Sequence, residues 1–307
     1  MAIAYLVVLG LTVGAVLLGW AYLRRFPVTR PPLGVINLGD VAFMIGGIVL
    51  IPYLYLGLPI WLVGAILGLG MLAILYFVAE PVLRSPVLIW PVVGGLIGAD
   101  VALALWQGTT SRAYFVVNDL VLLLVVVGIS NLWAQSGLRA RDLAVLAAAL
   151  IVYDAVATAW LPLTSNLIDR LSGLPFTPMV VWRVEADRWL GIGLGDLLLA
   201  TVGPLVLRKA YGRPAGLGAI AIALGTVAGL LALAASGRLE GGFPVMVVLG
   251  PLLVGQYAYW VRRRGGERTT GQYLRAEPLP SVPLATVADR RARVLCRKRT
   301  KSISGAT

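Results

Sequence analysis

A chain of 307 residues that is 59% apolar and only 13% charged, with a mean hydropathy of +0.88, has too little polar surface for a water-soluble globule and reads as a polytopic membrane protein. Its net charge of +12 is weighted toward the C-terminus from Arg262 on, where it suits membrane lipids with an anionic inner leaflet and not nucleic acid. The chain has no histidine and a single cysteine, Cys296, which excludes histidine-based triads, His-ligated haem, HExxH zinc sites and an internal disulfide. Chemistry is left to the fourteen acidic residues and the hydroxyls, with no metal and no organic cofactor expected.

Residues 2 to 23 are apolar throughout and are followed, not preceded, by the cations Arg24 and Arg25, so they read as a retained first span and not a signal peptide. Eight further apolar segments follow, near 34 to 57, 59 to 79, 87 to 107, 113 to 134, 142 to 162, 189 to 207, 215 to 236 and 244 to 261. Each is about the length a ~30 Å hydrocarbon layer requires. The expectation is an all-α membrane domain of about nine helices over residues 1 to 262, with the candidate site in 142 to 262. Residues 263 to 307 turn to Arg, Gly, Thr, Pro and Ser, and a basic, disordered tail is expected there. Glycines four apart, as at Gly10 and Gly14, Gly64 and Gly68, Gly94 and Gly98, or Gly225 and Gly229, predict close helix approach.

Nine spans divide the 26 cations unevenly: 21 fall on one side and five, Arg112, Arg170, Arg183, Arg188 and Arg238, on the other. The positive-inside rule then puts the N-terminus outside and the C-terminus in the cytoplasm.

Two carboxylates stand out because ionisable groups in spanning segments need a reason. Asp154 lies in Ile151-Val152-Tyr153-Asp154-Ala155, and Asp196 follows Gly193-Leu194-Gly195. At 1.5 Å per residue Asp154 lies ~12 Å from the outer end of its segment and Asp196 ~10 Å from the same face, so antiparallel neighbours would bring the two together. A pair of carboxyls that cannot both ionise supplies one acid and one base, the equipment for hydrolysis with an activated water. Gly193 and Gly195 allow close approach and non-helical backbone beside Asp196, and Tyr153 offers a hydroxyl next to Asp154. The structural alternative is that each Asp only hydrogen-bonds backbone or hydroxyls within the bundle. Asp40, near the start of a segment, Asp100 and Asp119 compete as intramembrane acids, with Asn118 and Asp119 suited to bonding a neighbouring helix.

Tyr153-Asp154 in one span and Gly193-x-Gly195-Asp196 in the next resemble the two signature motifs of the presenilin and signal peptide peptidase family. The resemblance implies a nine-span bundle and an intramembrane aspartyl endopeptidase, with Asp154 and Asp196 catalytic and no cofactor. It implies substrates that are transmembrane peptides, proteins or signal-peptide remnants, met by Tyr153, Gly193, Leu194 and Gly195. That family opens its ninth span with Pro-Ala-Leu; here Pro244-Val245-Met246 stands in its place, keeping the Pro, with Pro251 seven residues on, and replacing Ala-Leu with bulkier apolar groups. Asp196-Leu197-Leu198-Leu199 before Gly203-Pro204 is similar to the signal peptide peptidase branch.

Two other functions fit parts of the pattern. Prepilin peptidases share Gly-x-Gly-Asp but carry a Lys soon after the Asp, where this chain has three leucines; a proton-coupled transporter would use Asp100, Asp119, Asp154 and Asp196 as a relay. Between Leu163 and Arg188 the β-branched run from Met179 to Val184 reads either as a strand, with Val181 offering main-chain bonds to a substrate, or as an interfacial segment anchored by Trp182. The charge split predicts that a cysteine at position 172 labels from outside and one at 270 from the cytoplasm, in a background with Cys296 replaced. External labelling at 270 would overturn the orientation.

Overall fold

The computed structural model describes residues 1–28, 35–185, 188–239, 243–275, 277 and 279. Gly34, which opens the second predicted span, Arg30, and the tail from 280 to 307 with Cys296 lie outside the described residues. In chain order the helices are α1 (Ala2–Arg25), α2 (Leu38–Gly57), α3 (Ile60–Leu83), α4 (Pro86–Trp106), α5 (Arg112–Gln135) and α6 (Ala140–Ala155), which runs into a π-helical turn, Val156–Trp160. Then come α7 (Leu163–Leu171), strands β1 (Met179–Glu185) and β2 (Arg188–Gly193), and helices α8 (Leu194–Tyr211), α9 (Arg213–Ala235), α10 (Met246–Arg264) and α11 (Thr270–Leu274).

The chain is a mostly helical, multi-pass membrane protein. Among the described residues six helices, α1 to α5 and α9, are long and apolar enough to cross a membrane. A seventh crossing is made if α6 and α7 count as one span bent by 81°. The bend falls at Leu161-Pro162, where proline has no N–H to continue the helical ladder. Helix α8 has spanning length but carries Asp196, Arg208 and Lys209, and α10 ends in Arg262, Arg263 and Arg264. Pro91 and Pro204 lie inside continuous helices, α4 and α8, and interrupt neither.

Helix α5 is the hub: α1, α3, α4, α8 and β1 all pack on it. Helix α8 packs on α9, α5 and α1, and α6 on α10. Val121, Leu122, Val125 and Val126 of α5 and Leu197, Ala200, Val202 and Leu205 of α8 are sealed from solvent. Lipid tails are as apolar as these side chains, so their burial against one another gains close-packed dispersion and not desolvation. The closest approaches occur at glycines outside the predicted pairs: a side chain on Gly128 would strike Val78 and Ile74, one on Gly203 would strike Leu253, and one on Gly250 would strike Ile151. Of the predicted pairs, Gly14 meets Leu123 and Gly68 meets Phe176, while Gly10, Gly94, Gly98, Gly225 and Gly229 face open space. Spacing marks where glycines share a face, and the partner helix decides whether that face is used.

Polar side chains close the helix ends. Asp40 is the third residue of α2, in a capping box with Asn37, which explains an acid near the start of that segment. Lys209, counted above among the flanking cations, is 1% exposed. Its Nζ donates to the carbonyls of Ala134 at 2.8 Å and Leu138 at 2.6 Å, beyond the last turn of α5, and to Thr270 Oγ1 at 2.9 Å. Glu267 accepts the Ala140 N–H at 2.9 Å, and the backbone N–H of Arg268 donates to Ala210 O at 3.0 Å. The tail boundary expected at residue 263 is therefore corrected: α10 runs to Arg264, and residues 265 to 275 are fastened to the ends of α5, α6 and α8. Hydrogen bonds to a charged group are worth about 1.5–3 kcal/mol each, so Lys209→Met is expected to lower the thermal midpoint of the purified protein clearly. An unchanged midpoint would show that the ammonium closes nothing. Thr270 is 8% exposed, so the labelling position for this side moves to exposed Thr269.

Candidate active site

Strand β2 runs without a break into α8, and Gly193, extended at φ −67° and ψ 151°, is the helix N-cap. The Leu194 N–H donates to Pro178 O at 3.0 Å, tying the first residue of the helix to the chain just before β1. Asp196 is the third residue of α8, and its carboxylate accepts the Gly193 N–H, which is one half of a capping box. Its Oδ2 stands 3.3 Å from where a Cβ on Gly193 would lie. Gly195 is exposed, and a Cβ there would meet nothing within 4 Å, so the approach to Asp196 past Gly195 is open.

Asp154 sits in the last turn of α6, at the entry to the π-helical turn. A turn of that kind inserts a residue into the helix and re-aims the side chains around it. Thr158, on that turn, donates from Oγ1 to Asp154 Oδ1 at 3.2 Å and touches Thr164 Oγ1 at 3.2 Å. Asp154 Oδ2 accepts the N–H of Met246, the first residue of α10, at 3.0 Å. Both carboxylates thus meet free N–H groups at a helix start, where the macrodipole favours negative charge. They are half-buried, and the charge of Asp154 reaches Asp196. Helix α6 packs on both α8 and α10, with Gly250 admitting Ile151 of α6 against α10.

The remaining predicted residues divide. Tyr153 is half-buried beside Asp154, on the helix against which α2 packs. Val245 is the N-cap of α10, Pro244 precedes it, and Met246 reaches the site through its backbone while its side chain is buried. Of the two readings for Met179 to Val184, the strand is the one formed: β1 pairs antiparallel with β2, Val181 opposite Gly191. Trp182 packs on Phe115 of α5, centroids 6.5 Å apart. The N–H of Val181, however, points away from β2 and toward Asp119 Oδ1, at 3.4 Å. The bond from Leu194 to Pro178 sets the parity of the ladder, so the residues at 180 and 182 bond across the hairpin while Val181 and Gly191 face outward on opposite edges. Among the described residues, Gly191 has no hydrogen-bond partner on its outer side. Thr158 was not singled out from the sequence, although a hydroxyl four residues after an intramembrane Asp is a readable signal.

Among the described residues no three acidic or cysteine side chains gather as a metal site would need. No protein-family model matches the chain, and no curated protein matches it. The geometry around Asp196 separates its two glycines. Gly195→Ala has room and is expected to leave the stability level or raise it by up to ~1 kcal/mol through helix propensity. Gly193→Ala crowds the carboxylate and weakens the cap, and is expected to lower it. Equal shifts in differential scanning of the two variants would contradict this placement.

Proposed function

We propose that this chain is an intramembrane aspartyl endopeptidase, a nine-span protein similar to the presenilin and signal peptide peptidase family, with Asp154 and Asp196 as its catalytic pair. The observation that supports the reading is that α6, which carries Asp154, packs on α8, which carries Asp196, leaving each carboxylate within electrostatic reach of the other and Gly195 beside them exposed. One carboxylate takes a proton from water, and the hydroxide formed attacks the scissile carbonyl carbon. The other, protonated, gives its proton to the carbonyl oxygen as the tetrahedral intermediate forms. As the intermediate collapses, a proton passes to the leaving amine and the carboxyls exchange roles. Thr158, Met246 and Gly193 hold the carboxylates in place for this.

A helical substrate must be unwound before its peptide bond is reached, and unpaired backbone in lipid costs several kcal/mol per group. The outer edge of β2 at Gly191, two residues from the Gly193 N–H that holds Asp196, offers main-chain partners for it. This shifts the pairing edge from Val181, whose N–H is occupied, to the neighbouring strand. Substrates are transmembrane segments or signal-peptide remnants, and the N-terminus is outside with the C-terminus in the cytoplasm.

The test is incubation of the purified protein in lipid with a labelled transmembrane peptide, with and without a transition-state-mimicking aspartyl protease inhibitor. Asp154→Ala and Asp196→Ala are each expected to abolish cleavage while the protein stays folded; near-wild-type turnover by either ends the proposal and favours a carrier. The pH–rate profile is expected to be bell-shaped and to belong to the pair. An edge strand reads alternate residues, so N-methylation along the substrate backbone is expected to lower cleavage at every second position near the scissile bond. A uniform loss would argue against strand pairing.

A further inference from the structure

Two buried carboxylates take no part in the chemistry just described. Asp100 of α4 is 0% exposed and Asp119 of α5 is 2% exposed. Each uses one oxygen on the backbone of the same short segment: Asp100 Oδ1 accepts the Phe176 N–H at 3.0 Å, and Asp119 Oδ1 accepts the Val181 N–H at 3.4 Å. Between them, Asn118 Nδ2 donates to the carbonyls of Thr177 at 3.1 Å and Met179 at 3.4 Å. The Tyr114 hydroxyl accepts the Thr177 N–H at 3.3 Å and donates to Leu174 O at 3.1 Å. Tyr114 and Asn118 are four residues apart, and Asn118 and Asp119 adjacent, so one side of α5 grips residues 174 to 181 while Asp100 holds them from α4. Phe176 is kept in a left-handed backbone, φ 63°, with its ring against Gly68 of α3.

The second oxygen of each carboxylate, Oδ2 of Asp100 and of Asp119, has no hydrogen-bond partner. Helix packing alone would be served at lower cost by apolar residues in these places. The cost is explained by what the grip accomplishes. It occupies the outward backbone groups of β1, the Met179 carbonyl and the Val181 N–H, and so closes that edge of the hairpin to any third strand. On the opposite edge Gly191 of β2 stays exposed, and the strand leads from there through Gly193 to Asp196.

We propose that Asp100, Tyr114, Asn118 and Asp119 form a clamp that keeps the hairpin folded before substrate arrives and presents only the β2 edge, at a fixed distance from the acid pair. They are positioning residues, and the inference rests on the peptidase reading for its use but not for its geometry. A preformed edge spares the ordering cost that a loose loop would meet on binding, so the clamp acts on substrate affinity more than on the chemical step.

The experiment compares wild type, Asp119→Leu and Asp119→Asn in lipid nanodiscs by hydrogen exchange of the amides from 176 to 193 and by cleavage kinetics on the labelled transmembrane peptide. Asp119→Leu is expected to speed exchange across the hairpin and raise KM by about tenfold, with kcat and labelling by an inhibitor directed at the acid pair much less changed. Asp119→Asn keeps an acceptor for the Val181 N–H and is expected to restore both exchange and KM. Wild-type exchange in Asp119→Leu, or a folded Asp119→Asn that restores neither readout, overturns the clamp. If Asp119→Leu does not fold, Asn118→Ala, which releases the Thr177 and Met179 carbonyls, takes its place with the same criteria. A wild-type protein that protects the hairpin but cleaves nothing refutes the peptidase reading alone, since the exchange measurement judges the clamp independently.

Discussion

A charged or strongly polar side chain inside an apolar bundle has to find its partners within the protein, and this one constraint organises the structure. The supply of unpaired backbone groups in such a bundle lies at helix ends and strand edges. Asp154 therefore meets the start of α10, Asp196 the start of α8, and Lys209 the last carbonyls of α5. Asp100 and Asp119 meet the outer edge of β1 and the turn before it. Each of these five side chains pins a helix end, a strand edge or a turn, so the positions of the helices and the positions of the charges are set together.

The consequence is a division of labour along α5. One side, with Val121, Leu122, Val125 and Val126, is apolar and supports α1, α3 and α8 by close packing. Its first turns carry Tyr114, Asn118 and Asp119, which bind chiefly the backbone of residues 174 to 181. A helix that serves as both packing core and hydrogen-bonding template fixes a two-stranded hairpin that, standing alone, would be marginal at best. The aromatic contacts of Phe115 with Trp182 and Trp189 add a second hold on the same hairpin.

Much of this was legible in the sequence, for physical reasons that can be named. Apolar length located most of the long helices to within a few residues, because a bilayer leaves few other solutions, but the segment begun at 189 opens with β2 and becomes helical only at Leu194. The β-branched run after Pro178 marked β1, and the two acids with tyrosine and glycine neighbours lie on α6 and α8, helices that pack on one another. What escaped was anything that depends on which terminus faces which group. Hydropathy showed no sign that the segment from 142 to 162 would end in a π-helical turn and a sharp bend, since composition does not change at Val156. Lys209 read as a flanking cation because its acceptors, in α5 and after α10, are distant in sequence. Val181 read as an open strand edge because nothing local says that Asp119 lies against it.

The sequence distances in these bonds carry a further meaning for how the protein is made. Asp154 waits 92 residues for Met246, Asp100 waits 76 for Phe176, and Asp119 waits 62 for Val181. In a chain that emerges from its N-terminus, each of these acids enters the bundle before its partner has been synthesised. During that interval α4, α5 and α6 hold acidic groups with no designated donor, a state that favours shallow or interfacial placement until the later segments dock. A ribosome that stops short of α10 therefore releases a protein with most of its helices and with Asp154 lacking the Met246 N–H.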